Sequence, residues 1–135
     1  MNAPGHIAAL RFGLGPRPES PPPPGGREEA RAALLAQLDA PPDEDAPPQG
    51  WEATPTLPDI MALTVLDRRE PLPRRQGSRQ SRLFQAEAQA YMARLIATPT
   101  PFRERLVAFW SNHLTISRRN NSVAGFAGDY VRGAI

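Results

Sequence analysis

Proline is the sequence feature that most constrains how this chain can fold. The chain has 135 residues and 17 prolines, twelve of them within residues 1–56. Because proline fixes φ and lacks a backbone N–H, it is excluded from helix interiors and central strands. The packable sequence is therefore concentrated after residue 56. We predict two parts, a Pro-rich amino-terminal segment with two short helices over residues 1–56 and a helical segment over residues 57–135.

Between the prolines, apolar residues recur with helical spacing, and no long segment alternates as a strand does. These patterns predict an all-α fold, an irregular assembly of five or six helices joined by Pro-rich loops. The stretches 16–26 and 41–56 hold most of the prolines and are expected to be extended or loop-like. The expected helices cover residues 5–12, residues 27 to 40, residues 57–69, residues 79–97, residues 100–116 and a stretch that begins at Ser122.

The predicted helix over residues 100–116 has the clearest apolar face, formed by Phe102, Leu106, Phe109, Trp110, His113 and Leu114. An amphipathic helix usually turns such a stripe toward the core. We therefore expect this face to be buried, with Trp110 as a packing anchor. The same argument predicts that Ile7 and Leu10 point inward. It also predicts a buried face on the helix over residues 79–97, formed by Phe84, Ala88, Tyr91, Met92 and Leu95.

Composition narrows the function classes. All 16 basic residues are arginine, and the net charge of +2 is too small by itself to indicate a nucleic-acid partner. The chain has no cysteine, which excludes disulfides and thiolate metal sites within it. No apolar run reaches the eighteen or so residues of a transmembrane helix. No signal peptide is visible at the amino terminus. We expect a soluble, cytoplasmic protein.

His113 is the most suggestive candidate for chemistry, because an imidazole beside an aromatic face can act as an acid, a base or a metal ligand. Asn112 could present a carboxamide to the same site if the helix ends nearby, since it points about 100° away from His113. Its structural alternative is a helix-end hydrogen bond. These two residues are our candidate catalytic residues. The alternative for His113 is a core or boundary histidine whose ring nitrogens bind neighbouring backbone or amide groups. Since no second His, Asp or Glu stands at ligand spacing, the sequence predicts no metal site, and it identifies no cofactor.

Two other motifs have structural explanations. Gly13-Leu14-Gly15 lacks the preceding strand and the third glycine of a phosphate-binding loop, so we interpret it as a helix stop. Six arginines lie in fifteen residues, namely Arg68, Arg69, Arg74, Arg75, Arg79 and Arg82. Binding of nucleic acid or another polyanion is one interpretation. Because Pro71 and Pro73 interrupt any basic helix and no aromatic residue precedes Phe84, a solvated linker is favoured.

Two stretches together resemble a known family. They are Arg11-Phe12-Gly13-Leu14-Gly15-Pro16 and the segment from Pro101 to Ser117, which contains Phe109-Trp110-Ser111-Asn112-His113-Leu114. They resemble the bacterial family called domain of unknown function 1800, whose members open with a helix ending in Arg-Phe-Gly and later carry Phe-Trp-x-Asn-His-Phe. Leu114 replaces the frequent Phe, and PESPPPPGG stands where members have a second helix.

The resemblance implies a larger protein. Family members are several times longer, and their further His, Asn, Arg and Glu motifs would follow residue 135. Ile135 ends the chain within an apolar pattern, so we expect a fragment that needs the rest of its own chain as partner. The family has no established activity, which leaves enzyme status and reaction open. His113 would contribute to a site of hydrolytic or metal-assisted chemistry completed by later residues. The alternatives are a non-catalytic helical scaffold or interaction module, and an Arg-mediated binder of polyanions.

Overall fold

The structure is a computed structural model that describes residues 4–18, 21–22, 25–41, 50, 52–114 and 121–134. None of these residues belongs to a strand, and helices contain most of them. The all-α prediction is confirmed. The helices are α1 (Pro4–Phe12), α2 (Arg27–Asp39), α3 (Leu57–Arg69), α4 (Arg79–Ala97), α5 (Pro101–His113) and α6 (Ala127–Ala134), with the 3-10 helices η1 (Arg74–Gln76) and η2 (Asn121–Phe126).

The helix boundaries follow the local sequence signals. At the start of α3, the Asp59 carboxylate accepts hydrogen bonds from the backbone N–H and the hydroxyl of Thr56, at 2.9 and 2.6 Å. Pro58 fits the first turn of that helix, where no backbone N–H is needed. The predicted bounds of α3 and α4 are confirmed. The helix expected from Ser122 begins as η2, and α6 starts only at Ala127.

Some sequence predictions fall on residues outside those described. Most of the stretch 41–56, including Trp51, lies there, as do residues 115–120 beyond the end of α5. The described parts of residues 16–26 are non-helical up to Gly26, as predicted. None of the described helices has the length and apolar character that crossing a bilayer requires.

The chain divides into two compact units, each built from separate stretches. The first unit comprises Met1–Asp43 and Leu95–Asn112, and the second comprises Glu44–Arg94 and His113–Ile135. In the first unit α1 packs against α2, with Ala8 and Ala30 buried. In the second, η2 packs against α3, and Ile60, Leu83 and Ala124 are buried.

Arginine side chains cap the carboxyl ends of helices in the first unit. Arg17 donates to the carbonyl oxygens of Leu95 and Thr98, at 2.6 and 2.9 Å, where α4 ends. Arg103 donates to the carbonyl oxygens of Ala40 and Pro41 after α2, at 2.8 and 3.0 Å. Guanidinium groups suit these positions because the last carbonyls of a helix lack intrahelical donors and carry the negative end of its dipole.

A polar network joins α3 to α4 in the second unit. The Asp67 carboxylate accepts hydrogen bonds from the backbone N–H groups of Arg79 and Gln80, at 3.1 and 3.2 Å, and so caps α4. Burial raises the pKa of Asp67, but these two donors and the Arg79 guanidinium outweigh it and lower the pKa below its usual value. The buried Gln80 amide also donates to the Thr64 hydroxyl.

The predicted inward face is wrong on α1. On α4 and α5 it is right only in part, because these members of the predicted faces are half-buried: Phe84, Tyr91, Leu95, Phe102 and Leu106. Ile7 and Leu10 are exposed on α1, where Gly5 and Ala8 are buried instead. On α4 the buried residues are Gln80, Leu83 and Glu87, whereas Met92 is exposed. On α5 the buried residue is Glu104, whereas Phe109 and Trp110 remain 51% and 50% exposed.

Polar pairing explains the reversal on α4. Gln80 donates to Thr64, and Glu87 accepts a hydrogen bond from Arg132, so both buried polar side chains have partners within the second unit. A hydrogen bond offsets part of the desolvation penalty of a buried polar group. At Glu87 the offset is incomplete, since burial still raises its pKa. The helix can therefore turn this side inward. Trp110, with half its surface exposed, is not the packing anchor that the spacing predicts.

Candidate functional site

The last two turns of α5 present an exposed face of aromatic and polar groups. His113 is the final residue of the helix, and both His113 and Asn112 are exposed. One turn earlier, the rings of Phe109 and Trp110 meet edge to face with centroids 5.4 Å apart. Residues four apart lie above one another on a helix, so Phe109 shares its face with His113 and Trp110 shares its face with Leu114. Leu114, just after the helix end, is also about half-exposed.

The buried residue of α5 lies on its opposite face. Glu104 is only 4% exposed and lies nine positions before His113, which corresponds to about half a turn of rotation. The exposed imidazole and the buried carboxylate therefore point away from each other, as the sequence spacing predicts. Glu104 is not the carboxylate that could orient His113 as a base. The structure places Asn112 and His113 next to each other at the end of α5.

The chemistry available at this helix end is that of an imidazole, a carboxamide and aromatic rings. Imidazole can donate, accept or transfer a proton, and a carboxamide both donates and accepts hydrogen bonds. Within the described ranges, no three His, Cys, Asp or Glu side chains come together as metal ligands would. His6, the other histidine, belongs to α1 in the first unit and is half-buried.

Sequence reasoning missed a buried ion pair in the second unit. Glu87 is 7% exposed, and its Oε1 accepts a hydrogen bond from Arg132 Nη1 at 3.0 Å. Arg132 also donates to the carbonyl oxygen of Pro55 at 3.2 Å. Burial raises the pKa of Glu87, while Arg132 and the nearby Gly128 N–H act in the opposite direction. Glu87 Oε2 finds no hydrogen-bond partner among the residues that the structure describes.

The Glu87–Arg132 pair is enclosed, so we assign it a structural role. Gly128 lies so close that a Cβ added there would stand 2.2 Å from Glu87 Oε2. The only sequence signal is the spacing of Gly128 and Arg132, which are four residues apart on α6. Glu87 itself lies 45 residues from Arg132, and nothing local marks it as a partner.

A small cleft in the first unit is lined by α1, α2 and the segment around Pro99 and has a volume of about 90 Å³. The polar side chains of Arg17 and Gln37 line it, but both bind backbone groups. Gln37 Oε1 accepts a hydrogen bond from the Phe102 N–H at 2.8 Å. The glycine turn at its edge is a helix stop, as predicted, since the N–H groups of Gly13 and Gly15 both donate to the Ala9 carbonyl. The cleft therefore presents groups already engaged in holding the fold.

The family model described as "Protein of unknown function (DUF1800)" matches residues 7–135. The match includes both stretches that carried the resemblance in the sequence. No curated protein matches the chain, and no solved structure does.

Proposed function

Because the chain belongs to the DUF1800 family, whose description names no activity, we propose a function from its own residues. The last turn of α5 forms one wall of a ligand-binding or catalytic site. His113 supplies the imidazole that acts on the ligand, and Asn112 supplies a hydrogen-bonding carboxamide.

The exposure of His113 beside half-exposed aromatic rings is the observation that carries this proposal. A histidine kept for packing would lie in the core or at its boundary. His113 is exposed instead, and α5 also leaves Phe109 and Trp110 half in solvent. Binding sites are typically lined by aromatic and apolar side chains with a few polar groups at fixed positions. The helix end has this composition.

The proposed site needs further groups. A histidine acting as base or acid requires an orienting partner on its second nitrogen and a substrate within hydrogen-bond reach. A zinc site requires three or four protein ligands. Since the described residues gather no set of three metal ligands, we propose that further residues supply them in the metal-assisted form of the reaction. The reaction class that a His-centred site favours is hydrolysis, either by the imidazole alone or with a metal ion.

The test uses the whole protein that contains this sequence. His113→Ala and His113→Gln are compared with His6→Ala, a matched control that removes the other imidazole. Metal content and hydrolysis of chromogenic carboxylic and phosphate esters are measured together with the free energy of unfolding. We expect the His113 variants to lose activity or metal and to keep their stability, whereas His6→Ala keeps both. Loss of stability with unchanged activity and metal content would show that His113 is structural.

A non-catalytic interaction module is the second candidate, favoured by the exposed Phe109–Trp110 pair. Aromatic side chains are enriched among the residues that dominate protein interfaces. Trp110→Ala would then abolish association with a partner while His113→Gln leaves it intact. If the site is hydrolytic, His113→Gln abolishes activity and Trp110→Ala affects it less. The two variants therefore distinguish the two candidate functions.

A further inference from the structure

The outward side of α3 carries an apolar stripe. Leu57, Met61 and Val65 are 49%, 56% and 47% exposed, although each is a large aliphatic side chain. They stand four residues apart, so they align along one face over about 12 Å. Ile60, on the inward side of the same helix, is completely buried. The stripe is therefore a second apolar surface of α3 that the fold of the second unit leaves uncovered.

Four exposed arginines follow this stripe in the sequence, and the first of them lies on the same face of α3. Arg68 follows Val65 by three residues and Leu57 by eleven, so it stands on the same face of α3, with Arg69 beside it. Arg74 and Arg75 belong to η1. All four side chains are exposed, and none makes an ion pair or hydrogen bond within the described residues.

Two other arginines fix the position of these four. Arg79, the first residue of α4, donates to the Asp67 carboxylate at 3.1 Å and to the Glu70 carbonyl at 2.8 Å. Arg82 donates to the carbonyl and side-chain oxygens of Gln76, at 3.1 and 2.8 Å. Hydrogen bonds thus connect the end of α3 and Gln76, the last residue of η1, to the first turn of α4. The four exposed arginines therefore share one end of the α3–α4 pair.

The charge of this surface is mainly positive. Three carboxylates occur in residues 57–78, at Asp59, Asp67 and Glu70. Asp59 accepts two hydrogen bonds from Thr56, and Asp67 is paired with Arg79. That leaves Glu70 as the one carboxylate of the segment without such a partner, against four exposed guanidinium groups. The surface is complementary to a dense array of anions.

We propose that this face is a peripheral docking surface for an anionic lipid bilayer. The aliphatic stripe enters the boundary between headgroups and acyl chains, α3 lies in the plane of that boundary, and the guanidinium groups bind lipid phosphates. The apolar stripe favours lipid over nucleic acid, because a phosphodiester backbone offers nothing to Leu57, Met61 and Val65. The face also carries no aromatic side chain on which a base could stack.

Vesicle co-sedimentation tests the electrostatic part. The intact chain is mixed with vesicles of equal parts phosphatidylcholine and phosphatidylglycerol, or of phosphatidylcholine alone. Each arginine near an anionic surface strengthens partitioning roughly fivefold. We expect Arg74→Gln with Arg75→Gln to weaken binding to the anionic vesicles roughly 25-fold. The matched control is Arg27→Gln with Arg31→Gln on α2, which removes the same charge from exposed residues elsewhere and should leave binding within about twofold.

A dye attached to a single cysteine tests the apolar part. The chain has no cysteine of its own, so Met61→Cys and Met92→Cys each give one labelling site. Both methionines are exposed to nearly the same extent, at 56% and 57%. With anionic vesicles, we expect the emission of an environment-sensitive dye to shift to the blue at position 61 and to stay unchanged at position 92. Substitution at two exposed positions should leave the fold intact, which circular dichroism verifies.

Three outcomes would overturn the proposal. The first is no binding to anionic vesicles, and the second is equal binding to neutral vesicles. The third is binding without a blue shift at position 61, or with the same shift at position 92. Binding of an oligonucleotide that needs Arg74 and Arg75, without vesicle binding, would assign the surface to nucleic acid instead.

Discussion

Gly128 of α6 provides the sharpest test of packing in the second unit. Its backbone passes so close to the Glu87 carboxylate that an added Cβ would lie 2.2 Å from Oε2 and 2.3 Å from Cδ. No carbon atom can approach that closely, so Gly128→Ala forces the carboxylate away. Glu87 is flexible in principle, but it is buried and held by Arg132. We therefore expect the substitution to break the Glu87–Arg132 ion pair.

The magnitude follows from two opposing effects. Breaking a buried ion pair costs about 3–5 kcal/mol, and the partial exposure of Arg132, 24% of its side chain, places this one near the lower end. Alanine in place of glycine in a helix stabilises by up to about 1 kcal/mol. We expect Gly128→Ala to lower the free energy of unfolding by about 2 kcal/mol.

Urea denaturation followed by circular dichroism measures the change. Gly133→Ala is the matched control, because Gly133 lies in the same helix and an added Cβ there meets no atom within 4 Å. The control should be neutral or up to about 1 kcal/mol more stable than the original chain. A second comparison places Gly128→Ala in a Glu87→Ala background, where the clash is gone and the alanine should be tolerated. Equal destabilisation in both backgrounds, or none in either, would refute the reasoning.

Two further predictions concern Glu87 and the core. Because burial raises the pKa of Glu87 above its ordinary 4.5, the folded chain holds that proton more tightly than the unfolded chain does. The stabilisation of the fold by protonated Glu87 is complete below about pH 4.5, and it is lost as the pH rises through the raised pKa. The original chain should therefore gain stability relative to Glu87→Gln as pH falls from 7 toward 4.5, and parallel denaturation curves would contradict this. Ile60→Ala should cost about 2–5 kcal/mol because Ile60 is wholly buried, whereas Trp110→Ala should cost less than about 1.5 kcal/mol. The reverse order would show that Trp110 is a core residue.

The positions of the helices could be predicted because their limits depend on local signals. Pro58 and Asp59 mark the start of α3, and the prolines around residue 100 separate α4 from α5. These features act through the backbone of the same few residues and need no tertiary structure. The prediction failed at η2, where the chain follows a 3-10 path. An added Cβ at Gly125 would lie 3.2 Å from Ile60 Cγ2, so this turn packs closely against α3.

The buried faces could not be predicted, because they depend on residues distant in sequence. Gln80 is buried through its bond to Thr64, sixteen residues earlier, and Glu87 through its pair with Arg132, 45 residues later. Apolar spacing alone predicts that the aromatic side of α5 faces inward. That error hid the exposure of Trp110, which the structure reveals.

The functional role of His113 and Asn112 stays a prediction, and the sequence could indicate only their place on α5. The aromatic context directed attention to His113 and Asn112, and the structure places both at the exposed end of α5. The angular argument that separates Glu104 from His113 also agrees with their opposite exposures. The four exposed arginines could not be told from Arg79 and Arg82 by sequence, because only the hydrogen bonds to Asp67 and Gln76 distinguish them.

The reactivity of His113 toward diethyl pyrocarbonate tests the central claim most directly. The chain has two histidines, so His6→Ala leaves His113 as the single imidazole. Carbethoxylation is followed by absorbance in the folded protein and in the same protein unfolded in urea. An imidazole exposed at the end of α5, able to meet a ligand, should react at nearly the same rate in both states. A rate slowed by about tenfold or more in the folded protein would place His113 in the core and contradict the account, since such a slowing corresponds to about 1.4 kcal/mol of protection.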